Sequence, residues 1–286
     1  MKKIQNIITA LLLTGSALIL TLVSCQKSFD PKSYAPKKPL PTFGGYASSN
    51  EIEADSLVAY WNFSGTLTDS ISKLPGKATG AASFSSGISG QSFQGSANSA
   101  YAVCGAAPAL ATLQKFTVSA WVNTTPPTTG LLDYFTLANT NAFWGNIEMF
   151  FDNGSNNTAA HVRIHMSQNG NDNTFAAEVP GCFGAWVNLI FSYNTSGTCT
   201  LYLNGKSVAT GTAGNLTGPL AFQNVGDVVF GCSQFMTTPA ENAAAGGTTQ
   251  PWAAYFPGKI DQVRVYNKVL SSTEANALYS LENLGR

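Results

Sequence analysis

Charge is scarce in this chain of 286 residues: Asp, Glu, Lys and Arg make up 10% of it, and 15 basic side chains balance 15 acidic ones. Zero formal charge with no Lys/Arg stripe excludes the electrostatic footprint of a nucleic-acid binder. Histidine is almost missing, with two residues, and the cysteines after residue 100 stand 78, 17 and 33 residues apart, which matches no zinc pattern. There is no Gly-x-Ser-x-Gly, no phosphate loop, no dinucleotide fingerprint and no His-Glu-x-x-His. No segment before residue 270 sustains a helical period, and no repeat of 20 to 50 residues is visible. Ser, Thr, Asn and 27 Gly supply the polarity instead, as in a loop-rich β-protein working outside the cytoplasm. The length fits one large all-β domain or two smaller domains and is ample to bury a core.

The first residues set the expected compartment. Met1-Lys2-Lys3 is a cationic start, and Ile7 to Val23 is an almost unbroken apolar run, shorter than a comfortable membrane span. It ends in Leu22-Val23-Ser24-Cys25, which resembles a bacterial lipobox. That resemblance implies cleavage before Cys25 and diacylglycerol on its sulfur, with acyl chains such as palmitate holding the protein to a cell envelope, the outer membrane foremost. Residues 1–24 then form a signal peptide and are set apart from the fold; the remaining chain carries 13 basic and 15 acidic side chains, a net of −2. Residues 25–52 read as the lipidated cysteine and a spacer. Pro31, Pro36, Pro39 and Pro41 block regular structure there, and Lys27, Lys32, Lys37 and Lys38 keep it solvated. Cys104, Cys182, Cys199 and Cys232 remain, compatible with zero, one or two bridges.

From residue 53 to 286 the chain is a succession of short strand-like runs bounded by Gly, Asn, Ser and Thr. Leu57 to Phe63 alternates, as does Phe116 to Val122; further runs are Asn146 to Phe151, Ala160 to Met166, Trp186 to Tyr193, Cys199 to Leu203, Asp227 to Phe230 and Lys259 to Tyr266. Asn194 to Gly197 and Asn204-Gly205 supply turn chemistry. One helix is expected, from Ser271 to about Tyr279, because Ser271 and Glu274 make a capping box. The pattern predicts an all-β sandwich or barrel with a short C-terminal helix.

The order of segments carries a family resemblance. Leu57-Val-Ala-Tyr-Trp-Asn-Phe-Ser-Gly-Thr-Leu-Thr-Asp69, Gly90-Gln-Ser-Phe-Gln-Gly95, Phe116 to Val122, and Trp186 to Tyr193 followed by Leu201-Tyr-Leu-Asn-Gly205 resemble successive landmarks of laminin-G-like, concanavalin A-like lectin domains. Gly258-Lys-Ile-Asp-Gln-Val-Arg-Val-Tyr-Asn-Lys-Val-Leu270 is the strongest match. The resemblance covers residues 55 to 281 and implies a jelly roll of two antiparallel sheets. Domains of this fold bind glycans or proteins, or hydrolyse polysaccharides, so the fold does not choose among them. Laminarinase-type members carry Glu-x-Asp-x-Glu on one strand, and this chain has no such triplet. Glu148 and Asp152 come nearest, about 13 Å apart along an extended strand, which is too far for a glycosidase pair.

A non-catalytic reading follows: a lectin-like lipoprotein that captures polysaccharide at the cell surface or in the periplasm, as in Bacteroidetes-like bacteria. Its candidate ligand contacts are Trp144, Glu148, His161, Arg163, His165, Trp252 and Tyr255. His161, Arg163 and His165 share one strand face, either as a sugar-binding polar strip or as an ordinary solvated one. Trp144 enters a strand, and Trp252 and Tyr255 lie in a segment of about 25 residues with little strand signal, a length that is often functional. The resemblance also implies a Ca²⁺ ion near Asp69 and Asp261. Read from the residues, Asp261 instead accepts backbone N–H groups from a neighbouring loop and pins it, and after Asp69 either Lys73 or Lys77 takes the cation's place. The alternative is a protein-contact or adhesin module, or one accessory to an outer-membrane transporter; a polysaccharide hydrolase ranks behind both readings.

Overall fold

A strand that alternates apolar with polar side chains has one face to bury, and here such strands bury it by stacking two sheets. The computed structural model describes residues 39–286. The signal peptide, Cys25 and the spacer as far as residue 38 lie outside the described residues. In chain order the strands are β1 (Leu57–Trp61), β2 (Gly76–Thr79), β3 (Ser83–Ser86), β4 (Gln91–Gln94), β5 (Tyr101–Cys104), β6 (Phe116–Asn123), β7 (Leu131–Asn139) and β8 (Ile147–Phe151). They continue with β9 (Ala160–Gln168), β10 (Asn171–Val179), β11 (Val187–Tyr193), β12 (Cys199–Leu203), β13 (Lys206–Gly211), β14 (Val225–Phe230), β15 (Ala253–Ala254) and β16 (Lys259–Tyr266). One α-helix, α1 (Ser272–Glu282), closes the chain.

Sheet I has the order β13-β12-β11-β6-β16-β4-β3, with β1 paired to β16. Sheet II has the order β10-β9-β8-β7-β14-β5-β2, with the short β15 lying parallel to β7. All other pairs are antiparallel, giving the two-sheet jelly roll that the sequence predicts. Between the sheets, Phe116, Val118, Ala120 and Val122 of β6 and Leu189, Phe191 and Tyr193 of β11 share one core with Ile147, Met149 and Phe151 of β8 and Val162, Ile164 and Met166 of β9. Each fully buried large apolar side chain contributes about 1.5–3 kcal/mol. Asn204 (φ 51°) and Gly205 (φ 72°) both take left-handed backbone, so the β12–β13 hairpin turns as their residue types require. Cys104, Cys182, Cys199 and Cys232 are all buried and unbridged.

The helix begins as expected: Glu274 N donates to Ser271 Oγ at 3.2 Å, and Ser271 N donates to Glu274 Oε2 at 2.7 Å. It runs on past Tyr279 to Glu282 and lies on the outward face of sheet I. There Ala275, Leu278 and Leu281 pack with Ile190, Tyr202 and Tyr266. Residues 41–52, read from sequence as the end of a spacer, belong to this packing. Ile52 is buried in it, Phe43 and Tyr46 lean on it, and Arg286 Nη1 donates to Pro41 O at 2.8 Å. The prolines that suggest a spacer stop being decisive once Phe43, Tyr46 and Ile52 have an apolar surface to cover.

Candidate functional site

The outward face of sheet II is crossed by residues 231–256, the long segment with little strand signal. Its hold on the sheet is polar and specific. Ser233 Oγ donates to Asp133 Oδ2, and Asn139 N donates to Gln234 Oε1 at 2.7 Å. Gln234 Nε2 donates to Ala142 O and Phe143 O, both at 2.9 Å, and Asn242 Nδ2 donates to the same two carbonyls at 3.1 Å. Two amide side chains therefore clamp the β7–β8 connection, just before Trp144. Leu131 N donates to Trp252 O at 3.0 Å, which ties the Trp252 backbone to the start of β7.

The result is an aromatic platform. Phe143 stacks on Phe235 with centroids 4.8 Å apart, and Trp252 packs 5.7 Å from Trp144 and 5.5 Å from Phe235. Trp144 lies flat on His165, at 4.3 Å and 20°, which ties the platform to β9. Phe143 and Trp252 keep 37% and 39% of their surface exposed. Burial lowers the His165 pKa to about 4, against the opposing pull of Asp152, so the ring is neutral at physiological pH.

The polar strip continues from His165 along the same face. His161 Nε2 sits 3.0 Å from Glu178 Oε2 on β10. Arg163 places Nη1 and Nη2 each 3.3 Å from Glu178 Oε1, and Nε 3.5 Å from Asp152 Oδ2. Thr174 and Ala176, opposite His165 and Arg163, are short, so the β10 side of the strip forms a low shelf beside the aromatic wall.

Glu148 shares this face but is closed off, with 0% of its surface exposed. It accepts Gly145 N at 3.2 Å through Oε2, while Oε1 has no partner. Its acid neighbour is Asp133 on β7, whose Oδ1 is also without a partner. Burial pushes the Asp133 pKa up to about 7, partly offset by Ser233. Burial, then the Asp133 charge, pushes Glu148 well above the usual carboxylate range. Tyr255 belongs to the packing of the covering segment: it stacks on Tyr101 at 6.1 Å and donates to Met236 O at 3.3 Å.

Asp69 and Asp261 do not fit a shared calcium site. Asp69 Oδ1 accepts Tyr60 N at 2.8 Å and Ile71 N at 2.9 Å; Oδ2 accepts Ser72 N at 3.2 Å and the Ser72 hydroxyl. Asp261 Oδ1 accepts Gln262 N and Nε2, and Oδ2 accepts Ile88 N at 2.8 Å and Ser89 N at 3.3 Å. Four donors fill the lone-pair sites of each carboxylate. The sequence reading puts Asp261 on the same parity as Val263 and Val265. A bulge at Gln262 (φ 48°) breaks that parity, and Asp261 falls opposite Trp121 on the outward side of sheet I. Gly87 is required beside it, since a Cβ there would stand 2.3 Å from Asp261 Oδ2. Among the described residues, no three His, Cys, Asp or Glu side chains are grouped to hold a metal ion.

All seven candidate ligand residues thus lie on one sheet face, Tyr255 within the packing against Tyr101 and the other six around the aromatic platform and its strip. The sequence reading misses Phe143, Phe235, Glu178 and Asp133. A hint for Asp133 is present: a lone carboxylate in Leu131-Leu-Asp-Tyr-Phe-Thr-Leu137, a run whose length and apolarity suit a strand buried on both faces.

With that geometry in place, the comparisons fall into order. Residues 95–276 match the model of the concanavalin A-like lectin/glucanases superfamily, and the chain belongs to that superfamily. No curated protein matches the chain. Among solved structures, the binding domain of Paraclostridial Mosquitocidal Protein 1 superposes with a TM-score of 0.59 at 14% identity, over 79% of this chain and 52% of that one. The chain therefore spans about half the length of that relative. Domain 4 of AbnA, an extracellular arabinanase of Geobacillus stearothermophilus solved with arabinotriose, gives 0.55 at 19% identity, over 78% of this chain and 98% of that one. The binding domain of botulinum neurotoxin DC in complex with SialylT gives 0.57 at 14% identity, over 80% and 52%. At these identities the likeness is one of fold.

Proposed function

We propose that the protein is a non-catalytic, carbohydrate-binding module of the bacterial cell envelope, held by a lipid on Cys25 and capturing polysaccharide on the outward face of sheet II. The observation that carries this reading is the half-exposed pair Phe143 and Trp252, joined through Trp144 and His165 to the polar strip of Arg163, His161 and Glu178. Sugar rings present apolar C–H faces to aromatic rings and hydroxyls to charged groups, and this face offers both side by side. AbnA domain 4, solved with arabinotriose, and the toxin domain solved with SialylT support the reading. Against hydrolysis stands the position of the two fully buried acids of this face, whose pKa values burial raises. Asp133 and Glu148 lie beneath the covering segment, where no glycosidic bond reaches them. Calcium has no part in this reading.

The chain enters the fold on the opposite side, where Pro41 is tied to Arg286 beside α1. Trp252→Ala tests the reading: retention on a bound polysaccharide falls about tenfold, while the circular dichroism spectrum and melting temperature hold. Unchanged retention by a folded variant dismisses the platform.

A further inference from the structure

Residues 131–179, which supply β7 to β10 and their connections, contain one arginine, no lysine and five carboxylates. The covering segment 231–256 adds no basic residue and one acid, Glu241. The one arginine is fully engaged. Its Nε faces Asp152, and both terminal nitrogens face Glu178. His161 is engaged by Glu178 as well, and His165 is packed under Trp144 in its neutral form. Asp172, opposite Ser167 on the same face, has an exposed residue surface.

From this arrangement we infer that the site is built for a neutral glycan and turns away uronate, sialylated and sulfated ones. This rests on the carbohydrate reading and narrows it. An anionic sugar approaching the platform meets Asp152, Glu178 and Asp172 and, among the residues of β7 to β10 and the covering segment, finds no cation without a carboxylate partner. Like charges brought together at an interface cost several kcal/mol. A neutral sugar has the opposite experience. The carboxylates of Glu178 and Asp152 accept hydrogen bonds from its hydroxyls, and Arg163, held rigid between them, donates back. From His165 to His161 the strip runs four residues, about 13 Å, so the ligand is an oligomeric stretch and not a single sugar.

Glu178 is the residue on which the selectivity turns, because it engages both His161 and Arg163. Affinity electrophoresis of the protein in gels containing laminarin or debranched arabinan, against gels containing polygalacturonate or chondroitin sulfate, reads the preference directly. The wild type is retarded by a neutral polymer and passes the acidic ones. Glu178→Gln leaves Arg163 with Asp152 alone and gains about fivefold to tenfold in retardation by polygalacturonate at low salt, an effect that salt erases. Wild-type retardation by acidic polymers but not neutral ones overturns the inference while the carbohydrate reading stands. A Glu178→Gln variant that stays indifferent to polygalacturonate also overturns it. If every polymer fails to retard a folded wild type, the carbohydrate reading itself falls.

Discussion

The two sheets turn their outward faces to very different covers. Sheet I carries α1 and residues 41–56, an apolar layer around a buried ion pair: Arg264 Nε lies 2.7 Å from Glu282 Oε1, and Trp121 Nε1 donates to Glu282 Oε2 at 2.7 Å. Tyr60 stacks over the guanidinium at 3.9 Å, and Tyr279 stacks on Trp121 at 5.5 Å. Sheet II carries an irregular segment clamped by amide side chains. It leaves two aromatics half in solvent and two carboxylate oxygens without partners. One cover serves stability; the other gives up stability to shape a surface. Sheet I leaves buried polar atoms unpartnered too, Arg264 Nη1 and the Tyr266 hydroxyl among them, so the exposed rings are what sets the sheet II face apart as the proposed binding surface.

The comparison breaks most visibly at the sheet I ion pair. Glu282→Ala strands a buried guanidinium and lowers stability by about 3–5 kcal/mol, measured by urea unfolding. Replacing both partners, Arg264→Met with Glu282→Leu, returns most of that loss because no charge is left behind. A single variant as stable as wild type would mean that this cover contributes nothing, and the contrast between the faces would disappear.

On sheet II the sign reverses. Asp133 titrates near 7 in the fold but near 4 when unfolded, so the folded state holds the proton more tightly between those values. The fold is then favoured at low pH, and stability declines as pH rises from about 4 through about 7, with the full penalty present above. Asp133→Asn removes the titrating group. It is expected to flatten that decline and to stabilise the protein at pH 8 by about 1–3 kcal/mol, seen in melting curves taken from pH 4 to 8. A wild-type profile that rises across this range would show the acids to be paired and paid off in the fold.

How much of this contrast the sequence shows depends on whether an interaction is local. The capping box at Ser271, the Asn204-Gly205 turn and the alternation of β9 are written within a few residues each, and the structure keeps them all. The His161-Arg163-His165 strip is legible because its other face is apolar. β7 is harder: all nine residues are buried, so its pattern does not alternate, and β10 opens on Asn171-Asp-Asn, which reads as a loop. What covers each face is harder still. Phe43 and Ile52 meet α1 across more than 200 residues, and Gln234 finds Ala142 and Phe143 from 90 residues away. Polar residues in a loop look alike until the carbonyl they serve is known. The bulge at Gln262 reverses a parity argument for the same reason: one extra residue flips a side chain to the other face.

The finest distinction lies within the clamp itself. Gln234 and Asn242 hold the same two carbonyls, but only Gln234 also receives Asn139 N, so the two amides are not equivalent. Gln234→Ala leaves a buried backbone N–H without a partner and costs about 1–3 kcal/mol, with the platform loosened and glycan retention falling several-fold. Asn242→Ala leaves both carbonyls with their Gln234 donor, and its own Oδ1 had no partner to lose. Retention is then expected to fall only about twofold, with a melting temperature close to wild type. Equal losses in the two variants would mean that the carbonyls need both donors at once, and that the platform is held by the pair as a unit and not chiefly by Gln234.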